Sequence, residues 1–349
     1  MANYTGVNKS TTYFNTVLYT GNGSVRTETG VGFQPDFTWI KDRTGTNAHV
    51  LTDAVRGANY QLYTNLTNAQ TNASGYLTAF ASDGFTLGTD GAINQNSSNY
   101  VAWNWKAGGS GSANTSGSTN STVSVNTTAG FSIVSYTGTG SNATIGHGLG
   151  VAPKMIIIKN RSQSNGWIVG HEKLDATNPW HKYMELNSTN AAQDLNTIWN
   201  DTAPTSTLFT VGTEAAVNNN GNNFIAYCFA EKTGYSRIGK WRGNGNADGT
   251  FVYTGFAPKF LLLKKNGADG WWLLDDKMAN PYPNSNVRML VANTNGADNS
   301  SVSPFIDIYS NGFKLKSNWD GVNADGSDYI YMAIGQTIVG TNNIATVAR

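Results

Sequence analysis

Charge is scarce in this chain. Asp, Glu, Lys and Arg make up 13% of its 349 residues, about half the usual share near 25%. The net charge of +1 leaves no electrostatic case for nucleic acid or for acidic membrane surfaces. One cysteine, Cys228, excludes an intrachain disulfide. No apolar run approaches the eighteen or so residues of a membrane span. The opening Met-Ala-Asn-Tyr-Thr-Gly has neither a basic nor an apolar region, so no secretory signal is expected there. Four histidines and one cysteine, widely scattered, give no metal-ligand spacing.

What fills the space is glycine (39 residues), Asn, Thr and Ser, with a generous supply of Trp (10) and Tyr (16). That mixture suits short strands joined by tight turns. Within it one grammar recurs three times. Pro35-Asp-Phe-Thr-Trp-Ile-Lys41 answers to Pro153-Lys-Met-Ile-Ile-Ile-Lys159 and to Pro258-Lys-Phe-Leu-Leu-Leu-Lys264. A closing segment follows each: Asn99 to Trp105, Asn223 to Phe229 and Asp328 to Ile334. Ahead of each proline stands Tyr19-Thr-Gly-Asn-Gly23, Tyr136-Thr-Gly-Thr-Gly140 or Trp241-Arg-Gly-Asn-Gly245. Fixed order and near-fixed spacing mark three tandem repeats.

The expected fold class is therefore all-β, with three tandem antiparallel β-sandwich repeats. The boundaries are 1–106 for the first repeat with a short leader, 131–232 for the second, and 233–349 for the third with a tail. Residues 107–130 collapse to Gly, Ser, Asn and Thr and read as a linker, Thr122 to Asn126 being its one strand-like piece. A coil of that length spans about 25–30 Å, so the first repeat is expected to be loosely attached and the other two docked tightly. Cleavage within 108–130 should then release a folded 131–349 fragment. Helix evidence is poor, with 53–62 and 185–200 the tolerable candidates. Residues 83–87 are expected to pair with the closing strand.

Alternation puts Val101, Trp103 and Trp105 on one face of that strand, with Ile225/Tyr227/Phe229 and Ile330/Met332/Ile334 equivalent, so this face is expected to be core in every repeat. Cys228 takes the slot of Asn104 and Ala333 and reads as a small filler rather than a reactive thiol. The recurrent prolines and lysines read as fold residues. Proline starts the strand, and lysine lays its stem on the sheet with its ammonium in water.

Catalytic patterns are missing, and no catalytic residue is assigned. His171-Glu-Lys-Leu-Asp175 lacks the second histidine of a zinc helix, and no Gly-x-Ser-x-Gly elbow, dinucleotide loop or phosphate loop occurs. Asp275-Asp276 reads as a surface turn before half of a glycosidase pair. Asn244 to Gly249 imitates a calcium loop, but Gly255 stands where a bidentate glutamate is required. No metal and no cofactor are expected. Function should sit where the repeats differ. Trp180, His181, Trp199, Trp271, Trp272 and Trp319 lie in or near such segments and are the candidate contacts for a glycan or a protein partner. Sugars stack on aromatic faces, although packing under loops and at contacts between repeats explains the same residues.

Asn223 to Tyr235, Trp241 to Gly249, Thr254 to Phe260, His147 to Lys154 and Val101 to Lys106 together resemble an uncharacterised repeat-domain family of marine bacteriophage tail and virion proteins. The resemblance spans about residues 14–340. It implies a non-enzymatic virion structural protein with jelly-roll or lectin-like units, most simply a tail fibre or tail appendage for host recognition. A disulfide-free chain with no export signal fits a particle assembled in a host cytoplasm. The implied partners are other virion proteins and host-surface glycan, with no nucleic acid and no membrane insertion. A homo-oligomer, with a trimer favoured, is the expected state. The resemblance carries no catalytic or ligand residues, and no virion anchor or trimerising shaft is evident here. A capsid decoration protein is the alternative, and a glycan depolymerase a distant one.

Overall fold

The computed structural model describes residues 5–278, 288–298 and 305–337. The protein is all-β, built of antiparallel sheets. One strand order occurs three times. In the first large sheet the order is Phe14–Thr20, Asn99–Trp105, Phe37–Asp42, Val50–Asp53, Tyr60–Tyr63. The second has Phe131–Thr137, Asn223–Phe229, Met155–Asn160, Trp167–His171, Lys182–Glu185, and the third Ser236–Arg242, Asp328–Gln336, Ala257–Lys265, Trp271–Asp275, Leu290–Val291. Register repeats as well. Phe37, Met155 and Phe260, each two residues beyond the proline, face Trp105, Phe229 and Ile334.

Each large sheet is buried on both faces. The inner faces converge on one core, where Val101, Trp103 and Trp105 meet Ile225, Tyr227 and Phe229 together with Ile330, Met332 and Ile334. The alternation expected of the closing strand is present, but its apolar face packs on the other two sheets. The outer faces carry three separate cores beneath small sheets. Arg26–Glu28, Gly84–Leu87 and Leu77–Ala81 cover the first large sheet, Ala143–Gly146 and Leu208–Val211 the second. Phe251–Tyr253, Gly312–Leu315 and Ile306–Tyr309 cover the third. Burial from both sides explains why the central strands read Ile156-Ile157-Ile158 and Leu261-Leu262-Leu263 without polar alternation.

Three local expectations are corrected. Residues 107–130 are not a coil: Ser121–Asn126 pairs along its length with Phe131–Thr137, and Ser112–Asn114 pairs outside it. Val123 and Ala129 are buried, which gives this polar segment enough apolar contact to order it. Gly84–Leu87 pairs with Arg26–Glu28 and Leu77–Ala81, not with the closing strand. A single helical turn, Gly91–Asn94, carries the chain from the small sheet to the large one, and Ala215–Asn218 and Asp320–Asn323 recur at the same place. Of the helix candidates, 185–200 holds only the turn Asn196–Trp199, and 53–62 holds none. Four residues are too few to show a 3.6-residue period.

The tyrosine–glycine motif is a clamp on that helical turn. Tyr19 Oη, Tyr136 Oη and Trp241 Nε1 donate to the carbonyls of Ile93, Val217 and Val322 at 2.8, 2.6 and 3.0 Å. Their rings stack on Tyr100, Phe224 and Tyr329. The last glycine of each motif has positive φ, +70°, +73° and +63°, a region that side chains with a Cβ avoid. At the first, a Cβ would fall 2.2–2.3 Å from a backbone oxygen. Buried Asn94, Asn218 and Asn323 complete the clamp, each bonding the motif loop and the carbonyl three residues ahead of the turn (Gly88, Gly212 and Ser317).

Candidate functional site

Polar side chains that chemistry could use are mostly spent on the seams between sheets. His49, Trp167 and Trp271 hold equivalent places. Their ring nitrogens meet the carbonyls of Val291, Tyr63 and Glu185 at 3.2, 2.9 and 2.9 Å. Each bond runs to a different neighbouring sheet, so the three close a ring. Asn65, Asn187 and the Asn293 side chain accept the backbone N–H of the same three residues. A second ring joins the same three pairs of sheets: Trp103 Nε1 donates to Asp275 at 2.7 Å, Tyr227 Oη to Asp53 at 2.7 Å, and, with the donor now on the second sheet, His171 Nε2 lies 3.2 Å from the Tyr331 carbonyl. Backbone bonds Gln70 to Arg161, Ala192 to Asn266 and Asp298 to Arg43 form a third. The first sheet is bonded to its neighbours as fully as they are to each other, contrary to the loose attachment expected of it.

Lys41, Lys159 and Lys264 are fully buried, so their ammonium groups do not reach water. Lys159 Nζ donates to the carbonyls of Thr67, Asn160 and Asn165 at 2.9–3.0 Å, and Lys264 Nζ to those of Gly267 and Asp269. Lys41 Nζ bonds the carbonyls of Asp42 and Gly45. Loss of hydration pulls all three ammonium groups down to about 8. Desolvation likewise drops His171 to about 4, lifts Asp275 to about 6 and lifts the Cys228 thiol to about 12. Asp275 is buried and bonded to Trp103, which corrects the surface-turn reading of Asp275-Asp276. Asp53 and Arg56 form a buried ion pair at 2.5 Å beside Tyr227.

The tryptophan candidates fall in three places. Trp180 and Trp199 pack edge to face, 5.3 Å apart, in the outer core of the second sheet. Trp271 is buried in the shared core. None of these three offers a face to a ligand as placed, because the segments that vary in sequence fold back over the sheets. Trp272 and Trp319 are half-buried, 4.5 Å apart edge to face, against the outer core of the third sheet. His181 is exposed. Its Nε2 faces Asp194 and its Nδ1 faces Asp201 at 2.5 Å; the bond to Asp201 leads in raising its pKa.

Sequence reasoning missed a different group. Phe251, Tyr253 and Tyr309 are 43%, 55% and 42% exposed on the outer small sheet of the third region, with Phe251 and Tyr309 5.8 Å apart edge to face. Lys314 with Asp248, and Lys316 with Asp307, pair on this same sheet and its adjoining turn. In the register of the small sheets, Thr27 faces Thr86, Thr144 faces Thr210, and Phe251 faces Lys314. Comparing that outward position across the repeats would have found the patch. Tyr253 also borders a cavity of about 670 Å3 between the second and third sheets.

Among the described residues no group of three or more His, Cys, Asp or Glu side chains is placed to hold a metal ion. No helix among them is long and apolar enough to cross a membrane. Residues 9–337 match the model of a protein family described as Domain of unknown function (DUF7483). No curated protein and no solved structure matches the chain.

Proposed function

The chain belongs to that family, whose description assigns no activity, and we propose that it is a non-enzymatic bacteriophage virion protein of three tandem jelly-roll or lectin-like β-sandwich units. In this reading it sits on the tail as a fibre or appendage component and presents a rigid surface to host glycan. The observation that carries the contact role is the aromatic patch of Phe251, Tyr253 and Tyr309. Large exposed aromatics beside paired charges are costly to keep in water and serve to stack on sugar rings or to seat a partner. The virion assignment draws its support from the resemblance of the repeat motifs. The rings of seam contacts add that the surface is held by one interior rather than by flexibly joined beads.

Other virion proteins are the proposed assembly partners, with a homotrimer as the working oligomer and no nucleic acid or membrane insertion. Reconstruction of a virion carrying this chain tests the placement. Density on the tail supports it, and density confined to the capsid shell replaces it with a decoration role. Turnover of purified host polysaccharide by the chain would instead establish a depolymerase. For the contact role, Phe251→Ser combined with Tyr309→Ser should abolish binding of the purified chain to host cells while leaving the fold intact; unchanged binding would remove the patch from the proposal.

A further inference from the structure

The connections between the large sheets differ in length, and the difference leaves a hole. Between the first and second, residues 107–130 fold back as strands, and Val123 and Val125 lie close to Gly148 in the loop ahead of Pro153. Between the second and third, only residues 230–235 intervene. There the loop ahead of Pro153 and the loop ahead of Pro258 face each other across an opening of about 670 Å3, within the range usual for small-ligand sites.

Its lining is mixed. Tyr253 and Val151 bring exposed apolar faces, and Thr233 an exposed hydroxyl. Ser236 and Thr254 are already bonded to the carbonyls of Ala230 and Phe256. Lys154, on the lining, is paired behind it with Glu172 at 2.5 Å, a carboxylate that Lys173 also reaches at 3.1 Å. Arg237 stands 3.7 Å from Glu231, too far for a direct hydrogen bond. Glu231 itself is engaged by the Ile238 N–H at 2.9 Å. The charge of Arg237 also acts on the buried Tyr331 hydroxyl, yet its side chain remains half exposed. Two cations, Lys154 and Arg237, thus line the opening against one carboxylate, Glu231.

We infer that this cavity binds an acidic sugar residue, a hexuronate of a host-surface polysaccharide, with Tyr253 stacked on the ring and Arg237 paired to the carboxylate. The inference rests on the glycan-binding reading above and gives it a substrate class. A neutral sugar would leave the guanidinium with only the Glu231 carboxylate, 3.7 Å away and beyond direct hydrogen bonding. A bare anion would make no use of the tyrosine face. Planar, bidentate pairing with a carboxylate is what guanidinium does best, and a pyranose ring presents the C–H surface that an open tyrosine ring can cover.

Calorimetric titration of the full chain with tetragalacturonate, and with maltotetraose as the neutral control, tests it. Tetragalacturonate should bind at least tenfold more tightly than maltotetraose and weaken as salt rises. Arg237→Gln and Tyr253→Ala, both at exposed positions, should each lower the tetragalacturonate affinity at least tenfold with no change in melting temperature. Thr27→Ala, on the first small sheet and outside both the patch and the cavity, should leave it within twofold. No tetragalacturonate binding, equal affinity for both sugars, or indifference to Arg237→Gln and Tyr253→Ala would overturn the inference. If maltotetraose binds and the loss follows Phe251→Ser instead, the glycan reading stands and the cavity assignment falls. If tetragalacturonate binds in the cavity of a chain located on the capsid, the cavity stands and the tail reading falls.

Discussion

The seams between the large sheets and the outer small sheets follow opposite rules. At the seams, different side chains serve one purpose, since His49, Trp167 and Trp271 each reach a neighbouring sheet's carbonyl from the same place. On the outer sheets, one backbone position carries different chemistry, with Thr27 and Thr144 where the third sheet exposes Phe251. Sameness of geometry despite altered chemistry marks what the fold cannot lose. Altered chemistry on unaltered geometry marks where a partner can be met.

The largest expected effect lies at a seam. Arg56→Ala strands the Asp53 carboxylate in a buried site and should cost about 3–5 kcal/mol, read by denaturant unfolding. A loss below about 1 kcal/mol would mean that this seam is not a closed interior.

Lys159→Met comes next. It deprives three carbonyls of their donor and should cost about 1–3 kcal/mol at pH 7. Because Lys159 is held near 8 in the folded chain and returns to its ordinary 10.5 on unfolding, the unfolded state binds more protons between those values. Stability of the parent chain should therefore rise from about pH 8 toward 10, until unfolded tyrosines begin to ionise. The variant should show a shallower rise; an identical slope would exclude a buried ammonium at this place. On the acid side the slope has the same sign. His171 stays neutral down to about 4 in the fold, against an ordinary 6.5, so its contribution is lost as pH falls through that interval. Melting curves of His171→Gln should be flatter with pH there than those of the parent chain.

The smallest stability effect belongs to the outer sheet. Phe251→Ser should change unfolding free energy by no more than about 0.5 kcal/mol while binding of the chain to host cells is weakened. A cost of several kcal/mol would move Phe251 from the contact surface to the core.

Much of the fold is legible because the chain repeats itself. The proline strands, the closing strands and the glycine motifs stand out by comparison of three copies, and strand faces follow from alternation at Val101, Trp103 and Trp105. What alternation cannot say is which surface an apolar face meets. Val101 looks the same whether it closes its own sandwich or a shared interior. Lys41, Lys159 and Lys264 depart from expectation for a related reason: a stem that lies on a sheet reaches water only if nothing covers the sheet. Asn94, Asn218 and Asn323 stand five residues ahead of Asn99, Asn223 and Asp328, a spacing that would have exposed the helical clamp. Trp180, Trp199 and Trp271 are inside because sequence that varies between repeats is not the same thing as exposed surface. The patch at Phe251, Tyr253 and Tyr309 requires the small-sheet register, which sequence alone does not supply.

A single interior joins all three large sheets. Its most direct test is the isolated 131–349 fragment, followed by circular dichroism and heteronuclear NMR. Removing the first sheet uncovers Phe131, Tyr227 and Phe260, which pack on Phe14, Phe37 and Trp105, so the fragment should lack dispersed amide signals and a cooperative melting transition. A well-dispersed spectrum with a transition close to that of the full chain would contradict the shared core.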